Sequence, residues 1–212
     1  MPDARDKILK AAVELFAVRG FRGTTTRGIA SKACVNEGTI FKIFRSKRRL
    51  YREVLELKLR ELADRSLPVQ VTDPRELIKH IIAAREQDPA LMRLILFGML
   101  EAFPEFMKVL HNWRKDYYTR LSATIAQQKK QGVVADDVPE MLAAVTLTGI
   151  GFWHCLFNES FNLGRELKVS RSDLLEFYNR IWCFGLSHKP PKDETRTLST
   201  PDMTYTNMAP WV

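Results

Sequence analysis

The chain has 212 residues, 45% of them hydrophobic, and a formal net charge of +8, enough apolar material to bury one large core or two smaller ones. Its three cysteines, Cys34, Cys155 and Cys183, are odd in number and stand apart from any CxxC or His–Cys cluster, which argues against a disulfide framework, structural zinc or any metal or other cofactor. The charged N-terminus has no apolar signal region, and the most apolar stretch, 144–157, is shorter than the ~20 residues of a membrane span, so a cytoplasmic protein without a membrane partner is expected.

The charge is unevenly placed. Residues 1–66 hold 16 Lys+Arg against 8 Asp+Glu, and residues 67–212 hold 17 of each. All the net positive charge therefore lies in the first third, the pattern of a module for a polyanion joined to a neutral body.

Helical periodicity runs through the chain. Ile8, Ala12, Leu15 and Phe16 share one face of a first helix that Gly20 stops. Thr24–Thr26 offer N-cap hydroxyls to a two-turn helix over 27–33, with Ile29, Ala30 and Ala33 inward. Asn36 caps a third helix over 37–44, with Ile40 and Phe44 inward, and Ser46 caps a long fourth over 47–66 carrying Leu50, Val54, Leu57 and Leu62. Asp73-Pro74 and Asp88-Pro89 each place a capping Asp before Pro, opening helices over 74–87 and 89–102. Pro104 opens a helix to about 131, stopped by Gly132, and two more are expected over 138–162 and 170–187. The tail, 188–212, is rich in Pro, Thr and charge and lacks a helical period, so it reads as disordered.

Two helices of about seven residues are not stable alone; the first and fourth helices must hold them, through Ile8, Phe16, Leu50 and Val54. Helix, short turn, helix is the helix-turn-helix arrangement, whose second helix enters a major groove. Asn36, Glu37, Gly38, Thr39, Phe41 and Lys42 avoid the Ile40/Phe44 face and point outward. Lys47, Arg48 and Arg49 stand in the first turn of the fourth helix, where the dipole disfavours cations, and this predicts a bound anion such as a DNA phosphate.

At these residues the stretch TTTRGIASKACVNEGTIFKIFRSKRRL resembles the DNA-binding signature of TetR-family transcriptional regulators. Thr24, Thr25, Arg27, Ile29, Ala30, Ala33, Val35, Thr39, Phe44, Ser46, Lys47 and Leu50 match that pattern, and similar spacing extends over about 6–54. The resemblance implies that Thr26, Lys47 and Arg48 meet phosphates and that Arg27 can read a guanine. Asn36, Glu37, Gly38, Thr39, Phe41 and Lys42 would then face bases or adjacent phosphates. Four positions depart from the pattern. Cys34 replaces a left-handed glycine, Phe41 a phosphate-binding tyrosine and Ile43 a histidine, and Glu37 places an acid near DNA, where it can accept from a cytosine amino group.

The expected fold is all-α, about nine helices. An N-terminal three-helix helix-turn-helix DNA-binding domain (1–50) joins, through the linking helix 47–66, a C-terminal helical domain (67–187) for effector binding and dimerisation. The resemblance implies a homodimer on a palindromic double-stranded DNA operator, a repressor released by a small-molecule effector. Leu142, Val145, Leu147, Gly149, Ile150, Gly151 and Phe152, with Leu175, Phe177, Ile181, Trp182 and Phe184, make the last two helices apolar around much of their circumference, as a four-helix dimer interface requires. Aromatic and Met residues from Met92 onward suggest a pocket for a bulky, mostly apolar compound. Phe97, Glu101, Phe103, Trp113, Tyr117, Phe152, Trp153 and Phe157 are its expected lining, and Glu101, His111, Asn112 and His154 its polar anchors. No Gly-rich phosphate loop, GxSxG or HExxH is present and the four histidines are isolated, so an enzyme is not expected. A transcriptional activator, or an architectural DNA binder without a ligand, are the alternatives.

Overall fold

The computed structural model describes residues 3–67, 71, 73–161 and 170–187. Those residues form nine α-helices and no strand: α1 (Ala4–Arg19), α2 (Thr26–Ala33), α3 (Glu37–Phe44), α4 (Lys47–Ser66), α5 (Pro74–Glu86), α6 (Pro89–Glu101), α7 (Pro104–Lys130), α8 (Glu140–Phe161) and α9 (Arg171–Ser187). The tail at 188–212 lies outside the described residues.

The helix ends follow local chemistry. Asp3, Thr25, Asn36, Ser46, Asp73 and Asp88 each accept a hydrogen bond from a first-turn N–H, satisfying donors the helices leave open. Pro74, Pro89 and Pro104 occupy first-turn positions where the missing N–H costs nothing. The α2 start falls one residue earlier than expected, because Thr25 rather than Thr26 caps it.

Two apolar clusters hold the molecule together. The first packs Ile8, Phe16, Ile29, Ile40, Phe44, Leu50, Tyr51 and Val54 of α1–α4 against Leu91, Leu94 and Phe106 of α6 and α7. Each such burial contributes about 1.5–3 kcal/mol, which is how two-turn helices persist. The second gathers Leu77, Ile78, Ile81 and Ile82 of α5, Tyr117, Leu121 and Ile125 of α7, Ala144 and Leu147 of α8, and Trp182 of α9. The first cluster crosses the boundary expected near 66–67, so the helix-turn-helix is wedged into the body rather than strung from it. Polar ties fix the far end. Glu86 of α5 pairs with the buried His154 Nε2 of α8 at 2.9 Å and accepts from Arg171 Nε of α9 at 3.1 Å. Burial opposes ionisation of Glu86, but the hydrogen bonds from Arg171 and His154 outweigh it and hold its carboxyl below the usual range.

Candidate nucleic-acid interface

The turn between α2 and α3 is set by Cys34, at φ 54° and ψ 46° in the left-handed region. This conformation lets Val35 N–H reach the Ala30 carbonyl at 3.0 Å and Cys34 N–H reach Ser31 at 3.2 Å, closing α2 with a Schellman pair. A cysteine does here what glycine does at less cost, as the sequence anticipated. Cys34→Gly is therefore expected to raise stability by about 0.5–1 kcal/mol, the relief of left-handed strain less the added freedom of the unfolded chain. Urea denaturation checks this.

Arg27, Asn36, Gly38 and Lys42 are exposed and Phe41 is 46% exposed, whereas Thr26, Glu37 and Thr39 are half-buried. Asn36 is partly committed, since its Oδ1 accepts from Gly38 N–H at 2.8 Å. Thr26 and Glu37 meet each other: the Thr26 hydroxyl donates to Glu37 Oε1 at 2.6 Å, tying the start of α2 to the start of α3. The Thr26 proton is thus spent on the carboxylate and is not available to a phosphate in this arrangement. Glu37 keeps its second oxygen as an acceptor and sits at the positive end of the α3 dipole, where an anion is stabilised.

The three cations in the first turn of α4 are engaged within the chain. Lys47 Nζ turns inward, donates to the Thr24 carbonyl at 2.7 Å and lies 4.2 Å from the Phe21 ring centroid. Burial lowers its pKa, and the charge of Glu101 offsets only part of that. Arg48 pairs with Glu105 of α7 at 3.3 Å and covers the Phe103 ring, and Arg49 faces Glu53 at 3.6 Å. Each cation has an intramolecular partner: the loop before α2 for Lys47, the α6–α7 elbow for Arg48 and the next turn of α4 for Arg49. In this arrangement Lys47 braces the loop before α2 against α4. Sequence reasoning missed Arg45, an exposed cation at φ 67° whose backbone N–H closes α3 by donating to the Phe41 carbonyl at 3.0 Å. Nothing in its neighbours' periodicity signals that backbone.

The expected pocket residues do not gather in one place. Glu101 accepts from Phe21 and Arg22 N–H, both at 3.0 Å, and Phe103 stacks on Phe21 with centroids 4.3 Å apart. Both therefore belong to the joint between body and helix-turn-helix. Phe97 packs near Gly20 at the same joint, and Phe152 lies against the first cluster. Trp153 is 55% exposed and faces outward. Trp113 and Tyr117 do meet, stacked 4.7 Å apart, and with Asn112 they line a cleft of about 250 Å³ between α4 and α7. Of the other anchors, His111 is exposed and His154 is bound to Glu86. The side chains of Phe157 and Phe184 lie outside the described part of the structure.

The helix-turn-helix matches the family model described as bacterial regulatory proteins, tetR family, over residues 8–54. The HTH-type transcriptional repressor Rv3405c of Mycobacterium tuberculosis is 34% identical over 134 residues, covering 59% of this chain and 69% of that protein. This chain belongs to the TetR family. The HTH-type transcriptional repressor SCO4008 of Streptomyces coelicolor is 29% identical over 154 residues, 72% of this chain and 79% of that protein. Salmonella enterica GusR has the same fold with a TM-score of 0.72 at 23% identity, covering 87% of this chain and 96% of that one. The protein is thus a TetR-family DNA-binding transcriptional regulator, in a family whose named relatives are often repressors. Among its described residues no helix is long and apolar enough to cross a membrane.

Proposed function

We propose that this TetR-family chain acts as a homodimeric repressor that is released from a palindromic operator by a small-molecule effector. Residues 1–50 read DNA, 47–66 link, and 67–187 dimerise and sense. The observation that carries the dimer is an outward apolar face on the last two helices. On α8, Leu142, Val145 and Trp153 are 42%, 40% and 55% exposed, and on α9, Phe177 and Ile181 are 58% and 52% exposed. Gly149 has open space beyond its Cα, room for a helix of a second copy. Such a face is costly to leave in water and suits a two-fold four-helix contact.

In that dimer Arg27 and Lys42 meet base edges or phosphates, α3 enters the groove with Asn36, Gly38, Thr39 and Phe41 leading, and Arg48 flanks the backbone. Glu37, held by Thr26, accepts from a cytosine amino group. Binding-site selection tests this last role: Glu37→Gln is expected to change the preferred base at one position in each half-site, and an unchanged preference overturns it. The effector enters near the α4–α7 cleft and shifts α4 and α7, so that the two heads no longer fit their half-sites.

The double variant F177E/I181E is expected to sediment as a monomer at micromolar concentration and to lose at least about 100-fold in operator affinity, because one headpiece makes too few contacts. A monomeric wild type, or a monomeric variant with undiminished operator affinity, overturns the proposal. Activation rather than repression depends on where the operator lies, and a promoter-reporter assay separates the two.

A further inference from the structure

Arg85 lies on the apolar face of α5, in helical register with Ile78, Ile81 and Ile82, and only 3% of it is exposed. Its Nη1 donates to the Ile81 carbonyl at 2.8 Å. Its guanidinium carbon sits 6.0 Å from the ring centroid of Tyr117 on α7. On the third side it packs against α8 at Gly151, where a Cβ would stand 3.2 Å from Arg85 Cδ and 3.3 Å from Nε. Among the described residues no carboxylate pairs with this cation. The two acids nearest in sequence are engaged elsewhere, Glu86 with His154 and Arg171, and Asp88 with Lys58 and Arg65.

A guanidinium carries five N–H donors, and among the described residues one carbonyl accepts from it, while its other nitrogens are not among the fully buried atoms left without a partner. A buried charge without a counter-charge costs far more than one carbonyl bond and one ring face return. A methionine would fill the same volume without that cost, so packing alone does not call for arginine. The Tyr117 hydroxyl beside it is fully buried, with Tyr117 1% exposed, and has no hydrogen-bond partner among the described residues. Tyr117 also helps to line the α4–α7 cleft with Trp113, where Arg60 and Arg120 stand against Glu56 and Asp116; Arg85 is not part of that lining and meets it only through the Tyr117 ring.

We propose that Arg85 is the counter-charge for an anionic effector. The ligand is an organic acid whose carboxylate accepts from the guanidinium and from the Tyr117 hydroxyl, and whose apolar part lies along Tyr117 and Trp113. Guanidinium and carboxylate match in bidentate geometry. This assignment rests on the effector reading above and narrows it from a mostly apolar compound to an organic anion.

The full-length protein is titrated with phenylacetate and octanoate, and with phenylacetamide and octanamide as their uncharged counterparts, by calorimetry and thermal melting. The carboxylates are expected to bind and raise Tm, and the amides not to. R85M is expected to melt at or above wild type and to lose the carboxylate response, while R85K keeps a response at least about tenfold weaker. An R85M protein that melts below wild type, or carboxylates that stabilise no better than the amides, overturns the assignment. Operator affinity is scored in parallel by fluorescence anisotropy. Carboxylate binding that leaves operator affinity unchanged keeps the Arg85 site and overturns the effector reading. Release by neutral compounds that R85M does not alter overturns the Arg85 assignment and keeps the effector reading.

Discussion

Glu101→Ala is expected to cost about 2 kcal/mol of stability and to weaken operator binding about tenfold. The carboxylate ends α6, where the helix dipole disfavours an anion, so α6 itself gains nothing from it. Its use is across the joint: Oε2 accepts from Phe21 N–H and Oε1 from Arg22 N–H. Two charge-assisted bonds from a part-exposed group are worth less than their buried maximum, which sets the figure near 2 rather than 5 kcal/mol. The loop they hold leads from α1 to the Thr25 cap of α2, and Lys47 and Phe103 pack on Phe21 within it. Freeing the loop lets the reading helices sample orientations that do not fit a groove, and binding must then select the competent one. Glu101→Gln, with one acceptor oxygen in place of two, falls between. Urea denaturation and anisotropy with a fixed duplex measure both effects; a variant as stable as wild type would show that water serves those two N–H groups as well.

How much of this was legible in the sequence depends on the reach of each interaction. Caps and stops are local, so Asn36, Ser46, Asp73 and Asp88 could be read where they stand, the α2 cap only to within Thr24–Thr26, and the nine helices of the described residues with them. The left-handed Cys34 followed from the signature. The first turn of α4 shows where local reasoning stops. Three cations at a helix N-terminus do need partners, and the sequence pointed to a bound anion such as a DNA phosphate for them, whereas the structure supplies partners from the chain itself. The partners are Thr24, Glu53 and Glu105, and Glu105 lies 57 residues from Arg48, beyond what periodicity resolves. Glu101 carried the mirror-image signal, an acid at a helix C-terminus. Its aromatic neighbours made it look like a pocket anchor, when its partners stand 79 and 80 residues earlier. Arg85 was also visible in principle. It occupies the next apolar position after Ile78 and Ile81/Ile82, and a charge in that register calls for a buried counterpart.

The elbow that presents Glu101, Phe103 and Glu105 to the headpiece depends on a close approach at Gly98, and Gly98→Ala is expected to destabilise the protein by about 2–3 kcal/mol. A Cβ there would fall 2.3, 2.4 and 2.6 Å from three ring carbons of Phe106. Phe106 is fully buried at the start of α7, so its ring has nowhere free to swing. Helix propensity pulls the other way, because alanine in place of glycine within α6 gains about 1 kcal/mol. The clash wins because the obstacle is a wedged ring rather than the end of a flexible chain. The estimate is checked by a double-mutant cycle in urea. Phe106→Leu alone opens space and costs stability, but together with Gly98→Ala it should cost less than the sum of the two, since the smaller side chain leaves room for the new methyl. Strict additivity would mean that α6 shifts as a body instead. That shift would carry Glu101 away from Phe21 and Arg22, and Gly98→Ala would then reproduce the operator defect of Glu101→Ala.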